Sequence, residues 1–96
     1  MILVRNIFQV KFGRMKEARE LWKEGITFMK QENHPRLLTD LTGPFYTLVM
    51  ETTHKDLASL ESDTRGEMNQ PAFGAWYQKF TPLVESGSRE IFTIEG

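Results

Sequence analysis

Cysteine is absent from the chain, which removes disulfides, thiolate nucleophiles, iron–sulfur ligation and Cys-type zinc sites together. An excess of charge of either sign is also missing, because 12 basic and 13 acidic residues leave a net charge of −1. Nothing here attracts a polyanion, so nucleic acid is not expected as a partner. No apolar run approaches the ~18 residues of a membrane span, and Met1 opens directly into a strand-like segment rather than a signal peptide. A cytoplasmic protein without a membrane contact is expected. There are only two histidines, too few for a protein-only metal site, and no metal or other cofactor is expected. There is no Ser-His-Asp set, phosphate-cradling glycine loop or paired-carboxylate motif, which sets hydrolases and kinases aside. At 96 residues the chain makes one domain, residues 1–96.

What is present is periodicity. From Ile2 to Phe12 the residues alternate, with Ile2, Val4, Asn6, Phe8 and Val10 on one face and Leu3, Arg5, Ile7, Gln9 and Lys11 on the other. Met15 to about Gln31 repeats at helical spacing through Ala18, Leu21, Trp22 and Ile26. Arg36–Thr42 and Phe45–Thr52 read as two strands joined by Thr42-Gly43-Pro44, and so as an antiparallel hairpin. Thr53-His54-Lys55-Asp56 reads as a helix start, with Thr53 as the cap and a stripe of Leu57, Leu60, Thr64 and Met68. Gly66 and Asn69-Gln70-Pro71 interrupt that helix, and Phe73, Trp76, Tyr77 and Phe80 continue it. Pro82 tightens its last turn, Gly87 terminates it, and Arg89–Glu95 is the last strand.

The order β-α-β-β-α-β predicts an α+β, ferredoxin-like fold: a four-stranded antiparallel sheet with helices on one face. The bare face would carry Leu3, Ile7, Val49 and one side of the last strand, an apolar surface that a monomer rarely leaves wet. A second copy packed face to face would remove it from water, and ~600 Å² of apolar area per partner at ~25 cal/mol per Å² gives ~15 kcal/mol before association costs. Arg5 would then point into the interface and need a carboxylate such as Asp40 or Glu51.

The order, the length, the interrupted second helix and the run Trp76…Phe80-Thr81-Pro82-Leu83-Val84-Glu85-Ser86-Gly87-Ser88-Arg89-Glu90-Ile91 resemble the dimeric α+β barrel superfamily, most closely its NIPSNAP-like branch. The resemblance spans nearly the whole chain and is specific for fold. It implies a two-fold homodimer with a pocket between sheet and helices in each subunit. The superfamily includes cofactor-free antibiotic-biosynthesis monooxygenases, haem-degrading monooxygenases and small aromatic-compound isomerases. Its oxygenase branches place an asparagine of the first strand in the pocket, and Asn6 matches that place. Haem degraders carry a histidine ligand where this chain has Trp76, and a tryptophan that falls here near Gly66, so haem turnover is not implied.

The candidate residues follow. Asn6 lies in an apolar row, where an amide must find backbone, water or ligand or cost ~1–3 kcal/mol. Trp76, Phe73, Tyr77 and the facing Trp22 form either core or a flat wall for an aromatic substrate, with the Trp76 indole or Tyr77 hydroxyl as polar handle. His54, in a first helical turn, would favour neutral imidazole and could serve as a base. Two functions stay open: a cofactor-free oxygenase- or isomerase-like enzyme for a small aromatic compound, with Asn6 and His54 catalytic, or a non-catalytic homodimeric ligand-binding or protein-interaction module.

Overall fold

Alternating residues in the first strand and helical stripes after it build seven main elements in a computed structural model that describes all 96 residues. They are β1 (Ile2–Val10), α1 (Met15–Gly25), β2 (Arg36–Thr39), β3 (Thr47–His54), α2 (Leu57–Met68), α3 (Phe73–Phe80) and β4 (Val84–Thr93). The strands lie in the order β2-β3-β1-β4, every neighbour antiparallel. This is the expected α+β, ferredoxin-like architecture. No helix is long and apolar enough to cross a membrane.

Register fixes the two sheet faces. Asn6 pairs with Met50 on β3 and with Arg89 on β4, so all three side chains share the face that carries Val4, Phe8 and Val10. Val4, Val10, Leu48, Met50, Thr52 and His54 on this face are buried. On the opposite face Leu3, Ile7 and Val49 are only half-buried. There Glu51 joins two neighbouring strands: Arg5 Nε donates to its Oε2 at 2.8 Å, and Arg36 donates to its Oε1. These guanidinium bonds, Arg36 first, outweigh the burial that opposes ionisation and hold the Glu51 carboxyl below its usual range. Asp40 instead accepts from Thr47 N at 2.8 Å.

Several boundaries differ from the sequence reading, each for a local reason. The first helix ends at Gly25 and continues only as short 3-10 turns at 26–28 and 31–33. The second helix begins at Leu57, because Asp56 Oδ1 accepts from Ser59 N at 2.8 Å and takes the capping role expected of Thr53. Thr53 and His54 therefore belong to β3 and not to a helical turn. The break at 69–72 stands where Asn69-Gln70-Pro71 predicts it, whereas Gly66 lies inside α2. Pro82 lies within a 3-10 turn, 81–83, that tightens the end of α3, as expected. Gly87 does not end a helix. It lies in β4 against Phe8, whose Cδ1 would be 3.3 Å from an added Cβ.

Aromatic side chains fill the α1 and α3 half of the space above the sheet. Trp22 meets Trp76 edge-on at 4.7 Å, Trp76 stacks on Phe80 at 5.3 Å, and Phe8 meets Phe80 edge-on at 5.0 Å. Gly25 permits this packing, since a Cβ there would stand 2.6 Å from both Trp22 Cε3 and Trp76 Cζ2. Both neighbours are rigid rings in a packed core. Gly25→Ala is therefore expected to destabilise the fold by ~1–3 kcal/mol, even though alanine is the better helix former by ~1 kcal/mol. Urea unfolding reads the difference, and an unchanged or raised midpoint would show that the rings can give way.

Candidate functional site

The partly buried residues of α2 are Ser59, Leu60, Asp63, Thr64 and Glu67, and the last four form its inward face at i, i+3, i+4 and i+7 spacing. The stripe expected from apolar residues was rotated from this one, and Leu57 and Met68 are exposed at 63% and 59%. Two acidic side chains thus face the sheet. What turns them inward is His54, buried at the end of β3.

The His54 Nδ1–H donates to Asp63 Oδ2 at 2.9 Å, since an ionised carboxylate can only accept. The Thr52 hydroxyl and Nε2 share a second hydrogen bond, also at 2.9 Å. Asn33 Nδ2 donates to Asp63 Oδ2 at 3.1 Å, and Lys30 Nζ stands 3.0 Å from Oδ1. Burial pushes the Asp63 carboxyl up, but the bonds from Lys30, His54 and Asn33 overcome it and hold the group below its ordinary value. Both ring nitrogens of His54 are engaged, so neither is presented to a ligand. An open cleft of about 530 Å³ lies beside this cluster, at the start of α2, lined by Lys30, Asn33, Lys55, Ser59 and Asp63 among others.

One turn along α2 the environment changes. Asn6 Oδ1 accepts from Arg89 Nε at 2.7 Å, so the Arg89 terminal amino groups and the Asn6 amide N–H remain to donate elsewhere. Glu67 faces the same region. Burial raises its carboxyl to about 7, the Asp63 charge adds to the rise, and the Arg89 charge opposes it. No residue of α2 is buried, whereas α1 buries Trp22 and α3 buries Trp76 and Phe80. The same sheet face is only half-covered at β4, where Ile91, paired with Val4, is 42% exposed.

The candidate residues separate into two places. Asn6 and His54 lie on the α2 side. Trp22 and Trp76 lie in the core, with the Trp76 indole donating to Leu21 O at 2.7 Å and the buried Trp22 indole N–H unpartnered. Phe73 is half-buried and stacks on the exposed Tyr77 at 5.8 Å. Asp63, Glu67 and Arg89 were missed. The 60, 63, 64, 67 spacing could have found the acids, and the register of β4 against Asn6 could have found Arg89. No group of three metal-ligating side chains converges anywhere in the chain.

The two acids titrate in opposite senses. The folded pKa of Asp63 lies below 3.8, so its contribution to stability is present above that pH and disappears as pH falls through the depressed value. That of Glu67 is raised from 4.5 to about 7, so the fold loses stability as pH rises between those values. Urea midpoints measured from pH 3 to 8 should therefore show an acid-side loss absent in Asp63→Asn. Glu67→Gln should gain ~1–2 kcal/mol at pH 8, a figure discounted for solvent screening. A Glu67→Gln midpoint no higher than wild type at pH 8 would contradict the buried, unpaired carboxyl.

No protein-family model matches the chain, and no curated protein matches its sequence. Solved structures do match. A NIPSNAP domain protein from Burkholderia xenovorans aligns with a TM-score of 0.86 and 15% identity over 99% of this chain and 95% of that one. A NIPSNAP family protein from Agrobacterium tumefaciens gives 0.89 and 18% over 98% and 85%. SnoaB, a cofactor-independent oxygenase from Streptomyces nogalater, gives 0.73 and 17% over 99% and 93%. At such identities the likeness establishes the fold: the chain has the α+β, ferredoxin-like architecture of NIPSNAP and antibiotic biosynthesis monooxygenase structures, as its sequence resemblance implied.

Proposed function

We propose that this protein is a homodimeric cytoplasmic enzyme, of the cofactor-free oxygenase or isomerase kind, that holds a small aromatic compound between α2 and the sheet. One observation carries the reading. The Asn6–Arg89 hydrogen bond lies on a sheet face that α2 leaves half-covered, and its spare donors are aimed at no protein acceptor. A phenolate or carbonyl oxygen suits those donors, and the half-buried apolar surface around them suits a ring. His54 acts here as a positioning residue, since through Asp63 it sets the rotation of α2. In the aromatic set, Trp22 and Trp76 support the site from the core, and Phe73 and Tyr77 keep the surface that could meet a ligand. The likeness to SnoaB, a cofactor-independent oxygenase, supports the class of chemistry.

A second reading, a non-catalytic dimeric module, is favoured by the aromatic filling of the α1 and α3 half, where Trp22, Trp76 and Phe80 occupy the space a larger pocket would need. Thermal-shift and native mass spectrometry with quinols and flavonoid-like phenols separate the two. Binding is expected, and Asn6→Ala should weaken it tenfold or more with only a small change in melting temperature. Silence across the whole panel would leave only the module.

The dimer is proposed from the opposite sheet face, where Leu3, Ile7, Val49 and the 45%-exposed Phe92 are within one chain left partly in water. The dimeric habit implied by the sequence resemblance supports it. Sedimentation at micromolar concentration should give twice the 11.2 kDa chain mass, and Ile7→Lys should halve it. A wild-type monomer would refute this interface.

A further inference from the structure

We propose that the loop between β2 and β3 is an interlocking arm of the dimer. Leu41 and Phe45 of each copy enter an open cleft at the far end of the partner's helix-free sheet face, so each cleft is completed by a second copy of this chain. The arrangement rests on the homodimer proposed above and assigns its axis and its anchors.

Hydrogen bonds bend this loop onto the helix-free face. Gln9 and Thr47 are register partners, and their side chains stand on that face with those of Ile7 and Val49. The Thr47 hydroxyl donates to Pro44 O at 2.8 Å, and the Gln9 amide donates to Phe45 O. At the base of the loop Asp40 Oδ1 accepts from Thr47 N at 2.8 Å. The bend ends at Tyr46, whose backbone is left-handed at φ 63, a conformation that a residue with a side chain keeps only when its surroundings impose it. The Tyr46 ring is held edge-on against Phe12 at 5.1 Å. Leu41 and Phe45 nevertheless remain 97% and 71% exposed, and with Phe12 they are the three most exposed large apolar side chains of the molecule. A loop pinned in this way holds its apolar residues up to a surface that its own chain does not supply.

A hollow of the matching kind lies on the same face. A cleft of about 520 Å³ opens at the other end of the strands, lined by Leu3, His34, Pro35, Arg36 and Glu51 among others. Leu3 and Gln9 mark the two ends, ~20 Å apart along β1. Between them the register aligns Leu38, Val49 and Ile7 into one apolar row across β2, β3 and β1. A two-fold axis along that row sets Val49 and Ile7 against their own copies and turns each raised loop over the partner's cleft. Arg36 and Asp40 lie two residues to either side of Leu38, so the same axis brings Arg36 opposite the partner's Asp40. Arg36 gives one guanidinium nitrogen to Glu51, and Asp40 gives only Oδ1 to Thr47, which leaves both able to bond across the interface. An axis along the strands instead sets loop against loop and cleft against cleft. That packing holds the sheets apart at one end and leaves a void at the other, against the close packing that a stable interface needs.

The chain has no cysteine, so introduced thiols report contacts without background. Leu41→Cys and His34→Cys chains carrying different tags are co-expressed, purified through both tags and treated with a short bis-maleimide. Covalent dimers are expected from this pair and from neither variant alone. Phe45→Ser should raise the dimer dissociation constant about tenfold or more with an unchanged circular dichroism spectrum, since within one chain the side chain is mostly in water. Linkage in Leu41→Cys alone would set loop against loop and overturn the arrangement. Absence of linkage in the doubly tagged dimers, or a Phe45→Ser dissociation constant equal to wild type, would overturn it and leave the dimer standing. A wild-type chain that sediments as a monomer would overturn it through the dimer on which it rests.

Discussion

A buried imidazole must find partners for both ring nitrogens, and His54 finds them on two different elements. Thr52 belongs to its own strand, but Asp63 belongs to α2, nine residues further along the chain. That second bond crosses from sheet to helix and decides which side of α2 faces inward. Once Asp63 is fixed by His54 and backed by Asn33 and Lys30, the helical repeat carries Glu67 inward too. The same constraint leaves Leu57 and Met68 in water. Hydrophobic patterning would have turned the helix only partway from this, bringing Leu57 and Met68 inward beside Leu60 and Thr64. A charged hydrogen-bond network, worth more than a neutral bond where it is shielded from water, prevails over about two exposed apolar side chains.

The molecule thereby divides the space above its sheet. Towards α1 and α3 that space is closed by rings in edge and stacked contact, with a glycine at the closest approach. Towards α2 it is polar and only half-covered. Stability resides mainly in the first half, where buried aromatic area is large. The second half contains the features that detract from stability: an unpaired acid, and an asparagine and an arginine that bond to each other with donors left over. Such a separation lets a small domain keep a firm core beside a polar region where the proposed site lies.

The fold was legible because its signals were long. Alternation over β1 and the helical repeat of α1 extend for many residues, and the turn at Thr42-Gly43-Pro44 leaves only a hairpin. Asn6 was legible for the same reason, as the one amide in an apolar row. His54 was placed in the wrong element, because Thr53 and Asp56 are both plausible caps and only the folded backbone shows which one accepts from Ser59 or its equivalent. Asp63, Glu67 and Arg89 escaped notice because an acidic residue on a helix, or an arginine on an edge strand, reads as surface. Their position depends on a contact between residues distant in sequence, and local patterning carries no record of it.

The opposite sheet face applies the same physics to a different end. Glu51 is buried and ionised only because Arg5 and Arg36 reach it from strands on both sides. A carboxylate in that position would destabilise the sheet if either guanidinium were drawn away. The triad is nevertheless complete within one chain, so a second copy could cover the face without supplying a charge to it. Half-buried Ile7 and Val49 beside the triad would then meet their own copies across a two-fold axis, where like apolar groups are welcome and like charges would not be. Answering its buried carboxylate within the chain, with only one net positive charge left over on the exposed side of Arg36, suits this face better than the polar region beneath α2 to the proposed self-association.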